Sequence, residues 1–567
     1  MPTAPPVAAL RRWTAAFGLA FVAGCAGAPA VVSDTLAVRV RATLDAPLNA
    51  DTGWADGDPV EVAADRPFRI RFEAAPGGAD SLRLQVSRNG GPWAAVEAHD
   101  FPYPETATPR VSIVRASYSD GAGTTDVLRG SALPFAPGAG VSLGVASAAR
   151  LAPDTHGEWE WPVVVRRFAD GPVTNEPGDR FAFRLVDGAG RPVAAPVAEV
   201  ALTVPAGHLG GTFVETPSRI GPWQASTGDL YVVMEPTETD NVMMVVTSED
   251  GGATWREVDG AHRPAADDLE GVGTALVDGT LHVLHQTSER VWHHAFRTSE
   301  HPTAPDTWAF TDELVAAPGK PPTQVASLVA HPDGRLVAVY GGPQTVLLRT
   351  RDASGAWGDE VAVAPGGPVE SGPHLALGAA GAVHLAYTDG AGRAWLRQLR
   401  PDGTLTPALL VADGLGTTEV DVGAVAPLAA LLDGGVVVVY RRPDGGLWSR
   451  RAAADGAMSE PARVTDRAVV QNPVDSDQVG ADVVVIGDRA HVLFIEEGTG
   501  HLYHASTDAT GDWGPTRLVA DNLTAQWVRG LPVTRADGTT VLGYVVDAGS
   551  DGGAGLNRFG AVGVGVR

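Results

Sequence analysis

The sequence has very few of the residues that several common functions require. Its 567 residues include one cysteine, Cys25, and one lysine, Lys320. A single cysteine cannot form an intrachain disulfide, so the fold must be stable without that cross-link. The 67 acidic residues outnumber the 42 Lys and Arg, which gives a formal net charge of −25 at pH 7. With no basic stripe to neutralise phosphates, nucleic acid is excluded as an expected partner.

Helical patterns are also lacking, whereas glycine and proline are plentiful. The 69 Gly and 43 Pro are spread along the whole chain. Both residue types interrupt helices but suit tight turns between short strands. Hydrophobic residues make up 44% of the chain, which is enough to build cores. The length and composition therefore predict an all-β protein of two to four domains.

A long apolar run near the N-terminus follows Arg11 and Arg12. Residues 13–23 are too few to span a bilayer, and they have the layout of a secretory signal. The run ends in Val22-Ala23-Gly24-Cys25, which resembles the bacterial lipoprotein lipobox. The resemblance implies that Cys25 is acylated and becomes the first residue of the mature chain.

The segments around the lipobox define the expected location. We predict that residues 1–25 are a lipoprotein signal peptide with its lipobox and that residues 26–34 are a tether. Ala26 replaces the aspartate that retains many such lipoproteins in the inner membrane. The expected protein is exported and lipid-anchored at the outer membrane or cell surface, with no other membrane contact.

Residues 35–205 alternate apolar and polar side chains in short runs such as FRIRFEAAP and RFAFRLVDGAG. A period of two predicts half-buried antiparallel strands. Asn89-Gly90-Gly91 supplies a hairpin turn between two of these strands. The pattern predicts a β-sandwich of immunoglobulin-like type for this region.

Residues 211–567 contain an internal repeat. A turn rich in Gly and Asp precedes a strongly apolar strand seven times, from Leu230 to Thr540, at an average spacing of about 52 residues. The seven strands begin at Leu230, Leu281, Leu336, Val383, Val436, Ala490 and Thr540. A unit of this length holds four short strands, which is typical of a propeller blade. A solenoid is the weaker alternative because its coils are usually shorter.

The repeat count predicts seven blades, with six as the alternative. The seventh repeat reaches Arg567 soon after its third strand, so its outer strand must come from elsewhere. We predict that Thr212 to Glu215 supply it and close the ring.

One segment carries a family signature. The residues from Ser248 to Trp255 match the pattern S-x-D-x-G-x-T-W and resemble the Asp-box of bacterial neuraminidase repeats. The matching positions are Ser248, Asp250, Gly252, Thr254 and Trp255. The resemblance implies a sialidase-like propeller, in which Asp-boxes lie on the periphery and are structural.

The resemblance to sialidases extends along the first blade. It implies that Arg219 belongs to an arginine group that clamps a sugar carboxylate, a task suited to the planar guanidinium. It also places Asp267 or Asp268 near the acid/base aspartate. Tyr544 is the nearest candidate for the nucleophile, although it shares its strand position with other tyrosines and is expected to be a packing residue. Active sialidases have six blades, whereas seven are counted here.

The repeat register gives an independent prediction of a binding site. Residues just before the small residue that opens each first strand should surround the central funnel. These ligand-binding candidates are Arg219, Glu270, Glu370, Asp421, Gln478, Trp527 and Arg529, with Glu370 also a weak catalytic candidate. Arginines, carboxylates and an indole are the groups that sugar binding requires.

Three functions remain open from the sequence. The main prediction is a propeller that binds glycans with terminal acidic sugars, with hydrolysis by a retaining exo-glycosidase left undecided. The alternative is a non-catalytic module that binds a glycan or a partner protein. A uronate lyase is a further alternative, but His282, His384 and His491 occupy one repeated position, which favours a structural role. No cofactor and no metal site are predicted.

Overall fold

The protein is described here by a computed structural model, and its described residues are all-β. They comprise 36–44, 46–55, 59–75, 79–98, 110–142, 146–147, 151–152, 154–167, 175–209, 220–234, 243–258, 271–287, 289–301, 308–319, 326–343, 345–364, 369–378, 381–415, 427–470, 480–521, 525, 527–547 and 557–566. No helix in this part of the chain is long and apolar enough to cross a membrane.

Eleven strands form two sheets in the N-terminal region. In chain order they are β1 (Val38–Arg41), β2 (Val60–Ala63), β3 (Phe68–Ala74), β4 (Ser81–Arg88), β5 (Ala94–Ala95), β6 (Glu97–Ala98), β7 (Val111–Ile113), β8 (Ala146–Ser147), β9 (Gly157–Val165), β10 (Arg180–Asp187) and β11 (Ala198–Thr203). One sheet has the order β1-β3-β9-β7-β6. The other has the order β2-β11-β10-β4-β5, and β8 also pairs with β4.

The two sheets share one hydrophobic core. Phe68 and Phe72 of the first sheet belong to the same buried cluster as Phe181 and Phe183 of the second. The rings of Phe68 and Phe183 meet edge to face with their centroids 6.2 Å apart. The Asn89-Gly90 hairpin predicted from the sequence is present between β4 and β5, with φ values of 52° and 72° at its two residues. Two sheets thus pack face to face.

Burial on the first sheet departs from the half-buried pattern predicted from the sequence. Every residue of β3 and of β9 is buried, including the charged ones. Arg69 Nε lies 2.5 Å from Glu160 Oε1, and Arg71 Nε lies 2.5 Å from Glu158 Oε2. Arg71 Nη1 also lies 3.0 Å from Glu160 Oε2. Opposite charges on paired strands therefore neutralise one another on the face that alternation assigned to solvent.

Loops cover that charged face and complete its hydrogen bonds. Arg69 Nη1 donates to the carbonyl of Ala46 at 2.5 Å, and Arg71 Nη1 donates to the carbonyl of Leu48 at 2.6 Å. Arg71 Nη2 donates to the carbonyl of Thr125 at 2.7 Å. The arginines thereby tie two separate loops to the sheet.

The rest of the described chain forms seven consecutive antiparallel sheets, which we number as ring sheets 1 to 7. Sheets 1 to 3 comprise β12 (Trp223–Gln224), β13 (Leu230–Met234), β14 (Met244–Ser248), β15 (Arg256–Glu257); β16 (Val272–Val277), β17 (Thr280–Gln286), β18 (Val291–Arg297), β19 (Trp308–Ala316); and β20 (Ala326–Ala330), β21 (Leu336–Gly341), β22 (Val346–Arg351), β23 (Val361–Ala362).

The remaining four sheets continue the same order. Sheets 4 to 6 comprise β24 (Val369–Leu377), β25 (Val383–Asp389), β26 (Arg393–Leu399), β27 (Leu409–Ala412); β28 (Leu428–Ala430), β29 (Val436–Arg441), β30 (Leu447–Ala452), β31 (Ala462–Thr465); and β32 (Ala481–Ile486), β33 (Arg489–Ile495), β34 (Leu502–Ser506), β35 (Arg517–Ala520). Sheet 7 has three strands, β36 (Val528–Thr534), β37 (Thr540–Asp547) and β38 (Asn557–Val566).

The first strands of neighbouring sheets contact one another all the way round. The series runs from β12 through β16, β20, β24, β28 and β32 to β36, and β36 contacts β12 again. All seven first strands line one cavity of about 310 Å³, with residues such as Trp223, Leu328 and Pro532. Small sheets arranged radially about a common cavity are consistent with a β-propeller.

The seven apolar repeats predicted from the sequence are the second strands of these sheets, β13, β17, β21, β25, β29, β33 and β37. The predicted closing segment, Thr212 to Glu215, lies outside the described residues. The chain just before it does pair with sheet 7: Leu209 N donates to Asn557 O at 2.9 Å, and Phe559 N donates to Gly207 O at 2.7 Å. An N-terminal segment therefore lies beside β38, the outer strand of sheet 7.

Candidate functional site

Most of the predicted site residues lie outside the described part of the chain. These are Arg219, Asp267, Asp268, Glu270, Asp421, Gln478 and the lipidation candidate Cys25. Glu370 lies in β24, and its side chain is not among those described. The roles of these residues stay predictions, and three others can be located.

Two of the located candidates, Trp527 and Arg529, are buried at the start of the innermost strand of sheet 7. Trp527 has no exposed surface and belongs to the core cluster of ring sheet 1. Arg529 is 3% exposed, and its Nη1 donates to the carbonyl of Val528 at 2.8 Å. In this conformation neither residue presents a surface to solvent. A ligand role for either of them stays a prediction.

The third located candidate, Tyr544, lies in β37 and is 6% exposed. It packs in an apolar cluster with Leu493 and Leu542. Burial raises the pKa of its hydroxyl above the ordinary value. A nucleophilic tyrosine instead needs its proton removed, so these surroundings favour the packing role that its repeated strand position indicates.

The segment that resembles an Asp-box forms a tight turn between β14 and β15, the two outermost strands of sheet 1. Asp250 accepts hydrogen bonds from Ser248 Oγ at 2.8 Å, from Thr254 N at 2.9 Å and from Thr254 Oγ1 at 2.6 Å. Although burial raises the pKa of Asp250, the hydrogen bonds from Thr254 and Ser248 hold it below its ordinary value. The carboxylate thus organises the turn.

Glycine and tryptophan complete this turn. Gly252 has a φ of 96°, and a Cβ there would lie 2.0 Å from the ring of Phe559. Trp255 is 1% exposed, and its ring centroid lies 5.5 Å from that of Phe559. Turns in sheets 3 and 6 repeat the arrangement, with Asp352 and Asp508 each accepting backbone N–H groups two and four residues later. These turns join outer strands, so they stabilise the periphery.

Two of the three repeated histidines, His282 and His491, pair with another histidine of their own sheet. His282 Nδ1 lies 3.1 Å from His293 Nε2, and His491 Nδ1 lies 3.1 Å from His504 Nε2, with the rings stacked in both pairs. Burial lowers the pKa of His282 to about 3 and that of His491 to about 4. Two equivalent neutral pairs in different sheets favour a structural role, as the sequence predicted.

A different set of residues occupies the end of the sheets opposite the turns at Asp250, Asp352 and Asp508. In four sheets an aromatic ring stands at the same third-strand position, and an arginine guanidinium lies over it. We call these the arginine-aromatic pairs: Arg290–Trp292, Arg393–Trp395, Arg442–Trp448 and Arg467–Tyr503. The distances from the guanidinium carbon to the ring centroid are 5.6, 5.2, 4.0 and 4.1 Å, respectively.

The pair at Trp448 includes a second arginine. Arg463 also lies over this ring, with its guanidinium carbon 5.7 Å from the centroid. The buried Nε1 of Trp448 has no hydrogen-bond partner among the described residues. An unmet N–H beside two cations favours an acidic or hydroxyl oxygen as the acceptor of its hydrogen bond.

The pair at Tyr503 joins two sheets. Arg467 follows β31 of sheet 5, whereas Tyr503 lies in β34 of sheet 6. Arg467 also forms an ion pair with Glu496, whose Oε2 accepts a hydrogen bond from Thr499 Oγ1 at 2.8 Å. Although burial raises the pKa of Glu496, the hydrogen bonds from Thr499 and Arg467 hold it below its ordinary value. A cation, a carboxylate and an aromatic ring therefore meet at this junction.

Sequence reasoning missed the arginine-aromatic pairs because it aligned the first and second strands of the repeat. Alignment of the third strands would have shown Trp292, Trp395, Trp448 and Tyr503 at one position, opposite His285, Tyr387, Tyr440 and Phe494 of the second strands. In sheet 3 the equivalent residue is Leu347, opposite Tyr340.

Comparisons with known proteins find similar solved structures. No protein-family model matches the sequence, and no curated protein matches it. The BP39L lectin from Burkholderia pseudomallei is 13% identical with a TM-score of 0.43, over 63% of this chain and 99% of that one. A six-bladed propeller lectin from Aleuria aurantia is 11% identical with a TM-score of 0.33, over 56% of this chain and 97% of that one. A protein from Lactobacillus plantarum is 14% identical with a TM-score of 0.36, over 56% of this chain and 95% of that one.

Proposed function

We propose that this protein is a non-catalytic carbohydrate-binding propeller of seven blades, preceded by an immunoglobulin-like sandwich. Its binding face is the end of the ring sheets that carries the arginine-aromatic pairs. The observation that supports this is the recurrence of one aromatic position, each time with an arginine over the ring, in four sheets.

The chemistry of the pair at Trp448 suits a sugar with an acidic group, whereas Arg393 and Arg467 already bond Asp389 and Glu496. An aromatic face covers the apolar side of a pyranose, and the guanidinium fork bonds a carboxylate in two places. At Trp448 the indole N–H adds a donor between two arginines. We therefore propose glycans with terminal acidic sugars as ligands and Trp448 as the strongest single site.

Recurrence favours binding over hydrolysis. A retaining glycosidase needs one unique pair of groups on either side of the bond that it cleaves. A group of residues that repeats from sheet to sheet instead allows several weak contacts to act together on one branched or polymeric ligand. The predicted catalytic candidates Asp267, Asp268 and Glu370 would supply hydrolysis if a glycoside assay detected it.

Two sequence resemblances complete the proposal. The lipobox at Cys25 supports export and a lipid anchor at the outer membrane, which would display the propeller outside the cell. The turn at Asp250, which resembles an Asp-box, supports a distant relationship to sialidase-like propellers. In such propellers a funnel residue such as Arg219 would contact the ligand. A partner protein is the alternative ligand for the same face.

A glycan array followed by calorimetry tests the proposal. We expect the soluble protein from residue 26 onward to bind acidic glycans, and Trp448→Ala to weaken the affinity about tenfold, equivalent to about 1.4 kcal/mol. Leu347→Ala is the matched control, because it alters the equivalent position in the sheet that has leucine there. We expect its affinity to stay within twofold of the wild type.

The outcomes separate the two candidate faces. A tenfold loss in Arg219→Ala with no change in Trp448→Ala would place the ligand in the predicted funnel and overturn the proposed face. Turnover of fluorogenic glycosides by the wild-type protein would overturn the non-catalytic assignment.

A further inference from the structure

A second group of chemically active side chains lies in the N-terminal sandwich, far from the arginine-aromatic pairs in sequence. Glu73 is near the end of β3, His156 immediately precedes β9, and Asp126 belongs to the loop that covers these strands. Each offers one ligand atom, and these atoms lie within 4.8 Å of one another. Imidazole and carboxylate groups are the usual nitrogen and oxygen ligands of divalent transition metals.

The distances suit a shared ion better than direct hydrogen bonds. His156 Nε2 lies 3.9 Å from Glu73 Oε1 and 4.0 Å from Asp126 Oδ1. Both distances are too long for hydrogen bonds. Two ligands that each lie about 2.0–2.2 Å from one Zn²⁺ are separated by roughly 3–4 Å. The separations of His156 Nε2 from the two carboxylate oxygens therefore suit a shared metal ion.

His156 is buried without a hydrogen-bond partner. Its side chain is 1% exposed, and neither ring nitrogen bonds another group in the described part of the chain. Asp126 Oδ1 is likewise a buried atom without a hydrogen-bond partner there, although the rest of this side chain reaches solvent. Buried polar atoms are nearly always satisfied, so two that point at each other indicate a missing ligand.

The backbone holds these side chains in place. Glu73 Oε2 accepts a hydrogen bond from Ala37 N at 2.7 Å, and Glu73 Oε1 accepts one from Gly130 N at 2.6 Å. A Cβ at Gly130 would lie 2.6 Å from Glu73 Oε2, so glycine permits this close approach. The main chain of His156 bonds to the carbonyl of Pro134 and to Ala136 N. Two of the ligands are thus positioned before any ion binds.

The charge of the neighbourhood also favours a cation. The buried face holds two arginines, Arg69 and Arg71, against three buried glutamates, and Asp126 adds a fourth carboxylate at the edge. Carboxylates therefore outnumber guanidinium groups in this neighbourhood, which favours binding of a cation.

We propose that Glu73, Asp126 and His156 bind a divalent transition metal such as Zn²⁺. The ion joins β3 and the start of β9 to the covering loop, and the exposed side of Asp126 leaves room for water as a further ligand. Its role is to stabilise the sandwich, since an ion that binds the folded state alone raises the free energy of unfolding.

Metal analysis of the purified protein from residue 26 onward tests the site. We expect one Zn²⁺ per chain after dialysis against Zn²⁺, a higher melting temperature with Zn²⁺ than with chelator, and little response to Ca²⁺. Asp126→Asn keeps the size of a half-exposed side chain, so the variant should fold. Because it replaces the carboxylate ligand, its Zn²⁺ affinity should fall by about tenfold or more. His156→Gln should abolish the stoichiometric metal.

The control is His208→Gln, because His208 Nε2 bonds Asp65 Oδ2 at 2.7 Å and the described residues form no three-ligand group there. It should retain one Zn²⁺ per chain. The proposal is overturned if the wild type takes up no stoichiometric Zn²⁺, or if Asp126→Asn and His208→Gln bind it as the wild type does. A wild type whose melting temperature does not rise with Zn²⁺ would likewise overturn it.

Discussion

The sandwich and the ring bury their central strands by different means. In the ring, second strands such as β29 are apolar at nearly every position, because neighbouring sheets cover both of their faces. In the sandwich, β3 is also buried on both faces, yet alternate positions hold Arg69, Arg71 and Glu73. One face meets the other sheet, and loops cover the second. Complete burial is therefore compatible with charge, provided that each charge is paired and hydrogen-bonded.

Removal of one buried charge tests most directly whether the charges on β3 must be paired. Arg71→Met leaves Glu158 and Glu160 without the guanidinium that bonds both of them. We expect a loss of about 3–5 kcal/mol in the free energy of unfolding, the usual cost of an uncompensated buried charge. Urea denaturation followed by tryptophan fluorescence measures it.

The matched control is Arg256→Met, which breaks an ion pair with Glu249 in which both side chains are about half exposed. We expect this change to cost less than about 1 kcal/mol, since water and salt screen such a pair. Equal losses in the two variants would show that the buried network of the sandwich has no special energetic role.

Buried histidines are the counterpart of these charges in the ring, and pH is the way to test them. Burial lowers the pKa of His491 and of His504 from 6.5 to about 4. Between pH 6.5 and pH 4 the unfolded state then binds more protons than the folded state. The contribution of these histidines to the free energy of unfolding is therefore fully present above pH 6.5 and is lost as the pH falls toward 4. Each histidine contributes at most about 1.4 kcal/mol per pH unit in that window.

Urea unfolding at pH 7, 6 and 5 measures this slope. His504→Gln should flatten it, whereas His501→Gln, which removes a partly exposed histidine outside the pair, should leave it unchanged. An identical slope in the wild type and His504→Gln would contradict the assignment of a buried neutral pair.

A smaller effect is expected at the periphery of the ring. Asp250→Ala removes the acceptor for the side chains of Ser248 and Thr254 and for one backbone N–H. The expected loss is about 1–3 kcal/mol, because donors that were satisfied in the turn are left unpaired. Thermal unfolding checks it, and glycan affinity per folded molecule should not change. Loss of binding without loss of stability would contradict the structural role of the turn.

Much of the architecture could be predicted from repeated patterns. The seven apolar segments are the seven second strands, because both faces of these strands pack against apolar side chains of neighbouring sheets. The Asp250 turn was predictable because its hydrogen bonds join residues at most four positions apart. A closing segment was expected from an incomplete last repeat. The predicted residues, Thr212 to Glu215, lie outside the described part of the chain, and Gly207 and Leu209 just before them pair with sheet 7.

The candidate site was less accessible. Residues placed by strand register, such as Trp527, were expected at the funnel, whereas this indole packs in the core. Arg290 and Arg393 precede their rings by two residues, whereas Arg467 meets Tyr503 across two sheets. Spacing along the chain therefore does not identify every arginine that lies over a ring.

The sequence by itself determined the all-β class, the seven repeated units and the local turns, because these depend on periodicity and on contacts between near neighbours in the chain. The tertiary structure alone decided which polar faces are covered. Glu73, Asp126 and His156 meet because a loop folds over β3 and β9, and their separations in the chain carry no signal of that meeting. Because of this long-range packing, the polar face of an alternating strand, which usually faces solvent, is here a buried charged cluster.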